Sequence, residues 1–206
     1  MYHFINEQIE PIIESFDVGH VRKYDWLVEH LHKIDNEQFQ KNYRTFWRMN
    51  AARLSQDFCD KYFEILQETQ QSQPDVNEIV YSLYDVPSNS KAKKTLQFSF
   101  STKMAHMVNQ DLPIYDSLIS EFYFFEPNIR LKLDDRITEL LDFYEFLKAE
   151  YLRIQQEGLL NHSIQTFRKH FNPQHFTDAK VIDSLLWAFI NFMYNGALIQ
   201  RRVVFR

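Results

Sequence analysis

Apolar residues recur every three or four positions along most of this chain, the period of an amphipathic helix. Tyr24, Leu27, Val28, Leu31 and Ile34 share one helical face within 18–34. Phe39, Tyr43, Phe46, Asn50, Leu54, Phe58, Tyr62 and Ile65 continue the step of three or four, Asn50 being its one polar member, with no Gly or Pro between them. That predicts one long helix, or two in line, with Lys41, Arg44 and Arg48 offset from the apolar stripe. The polar tract ETQQSQPD (68–75) ends it, and Pro74 and Asp75 suit the start of a short helix over 76–84. DVPSNSKAKK (85–94) reads as a loop, because Pro87 and the Ser/Asn cluster stop a helix and the lysines keep the segment solvated. A helix is predicted from about 95 to 109. QDLPIY then makes a short connection, with Pro113 biasing Leu112 away from helical geometry. Asp116 suits the N-cap of a helix over 117–125, which Pro127 stops.

Ile137, Leu140, Leu141, Tyr144, Leu147, Tyr151 and Ile154 place another helix over 133–156, with Gly158 just past its end. A short helix is predicted over 163–171. Thr177 or Asp178 can cap a last helix over 181–194, ended by Asn195-Gly196. Its run LLWAFINFMY is apolar nearly all round, as a helix buried in the core would be. The tail VVFR reads as a short strand or a surface strap. There is no internal repeat, low-complexity tract or convincing linker. The pattern predicts an all-α fold, a compact bundle of about eight to ten helices, in a single domain over 1–206. A two-lobed arrangement with a cleft near 91–122 is the open variant of that reading.

Composition supports helices. Only three glycines occur in 206 residues, too few for the turns of a β-rich chain, while 19 Phe and 11 Tyr supply core. The single cysteine, Cys59, excludes an intrachain disulfide and any four-cysteine cluster built by one chain. No apolar run reaches the length of a membrane span, and the N-terminal MYHFINEQIE lacks a basic start and an apolar core. These features lead to the expectation of a cytoplasmic protein that meets no membrane.

A net charge of -5 argues against a general nucleic-acid binder, but the charges are segregated. Residues 38–56 hold Lys41, Arg44, Arg48 and Arg53 with no acid, and 86–110 hold Lys91, Lys93, Lys94 and Lys103 with no acid. Arg201, Arg202 and Arg206 form a third acid-free stretch. If these stretches meet, they make one basic face. The eight histidines show no metal-ligand spacing: His30 and His32 face different sides of a helix, and His162, His170 and His175 lack paired carboxylates. Neither a glycine-rich phosphate loop nor a G-x-S-x-G serine elbow occurs. No metal and no cofactor are expected.

Lys103 and Asp116 remain. A lysine acts as a nucleophile only when part of it is neutral, which burial or nearby positive charge promotes. Lys103 lies one to two turns into its helix, with Ser99, His106, Met107 and Gln110 on the same side and Phe98, Phe100, Ala105 and Val108 able to pack nearby. Asp116 at an N-cap would be fixed by backbone N–H groups that favour its anion, which suits it to stabilise developing positive charge. Trp47, Phe122, Tyr123 and Phe124 read as core.

The order Thr102-Lys103-Met104-Ala105, then Pro113-Ile114-Tyr115-Asp116 before a new helix, resembles the catalytic core of the helix-hairpin-helix DNA glycosylase superfamily. The likeness is to its lysine-bearing 8-oxoguanine glycosylase/lyase branches and covers about 95–122. It implies a nucleophilic lysine at Lys103 and an essential, helix-capping aspartate at Asp116. It implies double-stranded DNA with one flipped base as partner, and base excision with AP-lyase activity as the step a lysine permits. The stretch departs from the family in two ways. SNSKAKKTLQFSFS holds none of the glycines of the family's phosphate-binding hairpin, and the Lys-to-Asp interval is several residues shorter. Lys91, Lys93, Lys94, Arg44 and Arg48 are then the candidates to grip DNA phosphates through side chains. A second class stays open: a non-catalytic helical DNA-binding or protein-interaction module. In the enzyme, Lys103 and Asp116 face one another; in the module, Lys103 points to solvent. Target base and oligomeric state are left open by the sequence.

Overall fold

Helix starts in this chain are marked by side chains that take up the free N–H groups of a first turn. Asp17 accepts from Gly19 N, Asn36 from Gln38 N and Phe39 N, and Ser55 from Phe58 N. Asp75 accepts from Asn77 N and Glu78 N, and Asp116 from Leu118 N. A computed structural model describes residues 1–89 and 91–200, with side chains as far as Tyr194. The helices are α1 (Tyr2–Glu7), α2 (Ile9–Glu14), α3 (Val18–Glu29), α4 (Glu37–Phe46), α5 (Gln56–Thr69) and α6 (Val76–Tyr84). They continue with α7 (Phe98–Val108), α8 (Ser117–Phe122), α9 (Leu133–Gln156), α10 (Asn161–Phe171) and α11 (Asp178–Gln200), and a 3-10 turn over Leu31–Lys33 follows α3. The fold is all-α. Among the described residues the only β-type pairing is an isolated bridge between Leu54 and Asn89, and no helix is long and apolar enough to cross a membrane.

The apolar helix α11 packs on α2, α8, α9 and α10, while α7 packs on α5 and α6 and α3 packs on α4. One apolar cluster runs through these contacts, and tyrosines are prominent in it: Tyr24, Tyr43, Tyr62, Tyr144 and Tyr151 are all fully buried. A buried hydroxyl needs a partner, and most of these use theirs to tie helices together. Tyr62 donates to Phe100 O at 3.1 Å and therefore accepts from Tyr43, 2.9 Å away. Tyr144 donates to Pro113 O at 3.1 Å. Tyr24 meets His106 at 2.7 Å. Tyr151 Oη has no hydrogen-bond partner among the described residues.

Several expected boundaries shift, each for a local reason. The stretch read as one long helix or two in line is two, α4 and α5, parted by 47–55. Arg48 and Arg53 there take left-handed backbone angles (φ +57° and +53°), which turn the chain without glycine. The first sixteen residues, unassigned from the sequence, form α1 and α2, which bury Ile5, Ile9, Ile12 and Ile13. α11 runs through Asn195-Gly196 to Gln200, because a single glycine inside a helix costs only about 1 kcal/mol and need not end it. Phe124, expected in the core, is 88 % exposed with φ +56°. It follows the end of α8, where the reversed backbone turns its side chain outward. The tail VVFR and the third basic stretch, Arg201, Arg202 and Arg206, lie outside the described residues.

Candidate functional site

Helix α7 is apolar on the side that meets α5 and α6, burying Phe98, Phe100, Met104, Ala105 and Met107. It also buries Ser101, Thr102 and His106; Ser101 bonds back to Gln97 O, while Thr102 and His106 are spent on the chain that leaves the helix. Thr102 Oγ1 accepts from Tyr115 N at 3.1 Å and donates to Ser99 O at 3.1 Å. His106 Nδ1 lies 2.7 Å from Leu112 O. A carbonyl only accepts, so Nδ1 carries the proton, and Nε2 accepts from the Tyr24 hydroxyl. Burial, with the Lys180 charge adding to it, holds His106 neutral down to about 3. Thr177, at the start of α11, donates to Gln110 O at 2.7 Å. With Tyr144 on Pro113 O, the short connection 109–116 is gripped from α7, α9 and the start of α11, and Tyr24 of α3 holds His106 from behind. Its register is fixed, and so is the place where Asp116 begins α8.

That register brings Asp116 to Lys103. Lys103 Nζ lies 3.8 Å from Asp116 Oδ2 and donates to Ser99 Oγ at 3.0 Å, with only 12 % of its side chain exposed. The Phe100 ring centroid is 5.2 Å from Nζ and that of Trp47 is 5.8 Å. Burial among these rings pushes the Lys103 pKa down, and Asp116 opposes the shift. Arg48, exposed in the turn after α4, adds positive potential at the same amine. The other Asp116 oxygen accepts from Leu118 N at 3.0 Å. One carboxylate thus both caps α8 and faces the amine.

A second pair adjoins the first, and the sequence reading missed it. Lys180 donates to Asp183 Oδ2 at 2.7 Å, with both side chains buried on α11. Lys180 Nζ lies 5.1 Å from the Tyr24 ring centroid and 5.6 Å from that of Trp47. Trp47 is therefore approached by two ammonium groups, a favourable contact for the face of an indole. Its Nε1–H is buried with no hydrogen-bond partner among the described residues. The signal was present: a Lys and an Asp three apart, just ahead of the apolar run 185–194, share one helical face where opposite charges pair. Reading the helix from Val181 left Lys180 outside it.

The basic candidates fall into groups. The turn carrying Arg48 and Arg53 meets the 85–94 loop through the Leu54–Asn89 bridge, Ser55 N to Ser88 O at 3.1 Å and Ser55 Oγ to Pro87 O at 2.7 Å. Two of the acid-free stretches therefore adjoin, and the loop leads directly into α7. Lys91 and Lys93 are exposed there. Lys94 is paired with Asp85 at 3.2 Å and sits over Tyr84. Arg44 is half-buried on α4 beside Cys59. Among the described residues no group of three or more His, Cys, Asp or Glu side chains converges as metal ligands would. Chemically, the arrangement offers a desolvated amine, an anchored carboxylate beside it and a basic rim. Comparison with known proteins gives no significant match to any family model, any curated protein or any solved structure.

Proposed function

We propose that this chain is a DNA glycosylase with AP-lyase activity, using Lys103 as nucleophile and Asp116 as the charge beside it. The observation that carries the reading is the Lys103 amine, largely buried, 3.8 Å from a carboxylate fixed at a helix start. The likeness of 102–105 and 113–116 to the lysine-bearing helix-hairpin-helix glycosylases supports it. Neutral Lys103 attacks C1′ of a flipped nucleotide. The C1′–N bond breaks, its electron pair leaves with the base, and the base takes up the proton shed by the new ammonium. Asp116 stabilises the positive charge that gathers on the sugar as that bond lengthens. The Lys103 nitrogen pair then forms a C1′=N bond as the C1′–O4′ bond breaks, O4′ takes a proton from water, and a protonated Schiff base is left on Lys103. Loss of a C2′ proton to water expels the 3′ phosphate, which nicks the strand. Exposed Arg48, Arg53, Lys91 and Lys93 supply phosphate contacts in place of a glycine hairpin. No cofactor enters these steps.

Borohydride trapping on duplexes carrying oxidised, alkylated or abasic nucleotides tests the reading. A covalent adduct that forms with the native chain and is lost in Lys103→Gln supports it. Neither adduct nor free base across the panel removes it. Base release that needs Asp116 but not Lys103 would reduce the function to a glycosylase without the lyase step.

One observation favours the non-catalytic interaction module instead. Phe124, Ile129 and Leu131 are exposed in the segment between α8 and α9, at 88 %, 75 % and 37 %. Affinity for a protein partner that Phe124→Ser removes, on a chain inert towards every duplex, would establish that alternative.

A further inference from the structure

Two ammonium groups and two carboxylates gather around Trp47, yet only one pair is tight. Lys180 and Asp183 are 2.7 Å apart, whereas Lys103 and Asp116 are 3.8 Å apart. Lys103 and Lys180 lie 5.8 Å and 5.6 Å from the same indole centroid. Asp183 is 7 % exposed, and a carboxylate that deep requires a cation or a proton. Both lysines are near enough for their charges to act on it.

We propose that Lys180 is a positioning residue: by taking Asp183 as its own partner, it denies Lys103 a second carboxylate and leaves that amine free to act as a nucleophile. The proposal rests on the reading of Lys103 as the nucleophile, but its test needs no DNA. The charges that act on Lys103 are Asp116 at the start of α8, 3.8 Å away, Asp183 and Lys180 on α11, and Arg48 in the turn after α4. The two carboxylates favour the Lys103 ammonium; Lys180, Arg48 and burial favour the amine. While Lys180 and Asp183 are paired, their effects on Lys103 oppose one another. Removing Lys180 leaves Asp183 to draw on Lys103, so the ammonium gains. Removing the Asp183 charge leaves the Lys180 cation unbalanced, so the amine gains. Removing both takes away both effects and brings Lys103 back towards its starting point.

The experiment is competitive labelling of the full chain with acetic anhydride across a range of pH, with Lys103 modification read by mass spectrometry. Lys180→Met is expected to raise the labelling midpoint by about one pH unit, a roughly tenfold loss of neutral amine at fixed pH. Asp183→Asn is expected to lower it by a similar amount. The double variant is expected near the native midpoint, as is Lys180→Arg, which keeps the charge. Circular dichroism checks that each variant is folded. If Lys180→Met does not fold, the downward shift in Asp183→Asn and its reversal in the double variant carry the test alone. Two shifts in the same direction, or none, overturn the proposal. An absence of base release would remove the glycosylase reading and leave these midpoints unaffected, so the two failures are distinguishable.

Discussion

Replacing Thr102 by valine keeps the branched shape of the side chain and deletes one hydroxyl. Thr102 is fully buried, so no water can take over that hydroxyl's bonds. Its oxygen is the acceptor for Tyr115 N at 3.1 Å. An N–H left without a partner in such a place costs about 1–3 kcal/mol. The methyl that replaces the hydroxyl recovers about 0.8 kcal/mol through apolar burial. The net expectation for Thr102→Val is a loss of about 0.2–2.2 kcal/mol. In a domain of this size each 1 kcal/mol moves the melting temperature by about 2–4 °C, so the fall should reach up to about 9 °C. Thr102→Ser is the control, because it keeps the acceptor and loses one buried methyl, about 1 kcal/mol. Urea unfolding followed by tryptophan fluorescence gives both values. Two comparisons separate the causes. Cleavage of a small aldehyde adduct of Lys103 should change in the valine variant, whose Asp116 has lost one of its register pins, and stay native-like in the serine variant. A valine variant at least as stable as the native chain would refute the claim that Thr102 holds the 109–116 connection in place.

Three other outcomes follow from buried charge and exposed charge. Burial lowers the Lys103 pKa, so the unfolded chain binds more protons below the ordinary lysine range and native stability rises with pH through that window; Lys103→Met should flatten this rise in urea titrations repeated across alkaline pH, and an unchanged slope would contradict it. His106, held neutral down to about 3 against an unfolded value of 6.5, costs stability as pH falls between those values, because only the unfolded chain takes up the proton. His106→Gln should remove about 1.4 kcal/mol per pH unit from the acid-side slope, measured by denaturation at several pH values, and an equally steep slope would mean that other groups set it. Lys91→Ala and Lys93→Ala should each reduce the salt dependence of duplex binding by about one phosphate contact, read from fluorescence anisotropy at several salt concentrations; an unaltered slope would place the DNA elsewhere.

What the sequence made legible was local. The bounds of α6 and α9 and the cap at Asp116 follow from Asp75, the 133–156 stripe and the short connection, all features within a few residues of what they determine. The break at 47–55 was not legible, because it is made by Arg48 and Arg53 in left-handed geometry and neither residue type signals it. α1 and α2 are each six residues long, under two turns, too short for an apolar stripe to repeat within either. In the site, Lys103 and Asp116 came from a motif within fifteen residues, 102–116. The groups that set their distance did not: Tyr24 reaches His106 across 82 positions, and Tyr144 reaches Pro113 across 31. Lys180 and Asp183 were readable in principle, as opposite charges three apart on one helical face, but their nearness to Lys103 exists only once α7 and α11 meet around Trp47.

The connection between α7 and α8 is irregular chain, the kind of segment that usually absorbs insertions and deletions over evolutionary time. Here it is held at Gln110, Leu112, Pro113 and Tyr115 by side chains of α7, α9 and Thr177 just before α11. An added residue would break several of those bonds at once and move the carboxylate relative to the amine. Length variation should therefore be concentrated in segments such as 123–132, where exposed side chains make few such demands. In insertion scanning this short connection should behave like a helix interior, with drift in sequence tolerated and drift in length excluded.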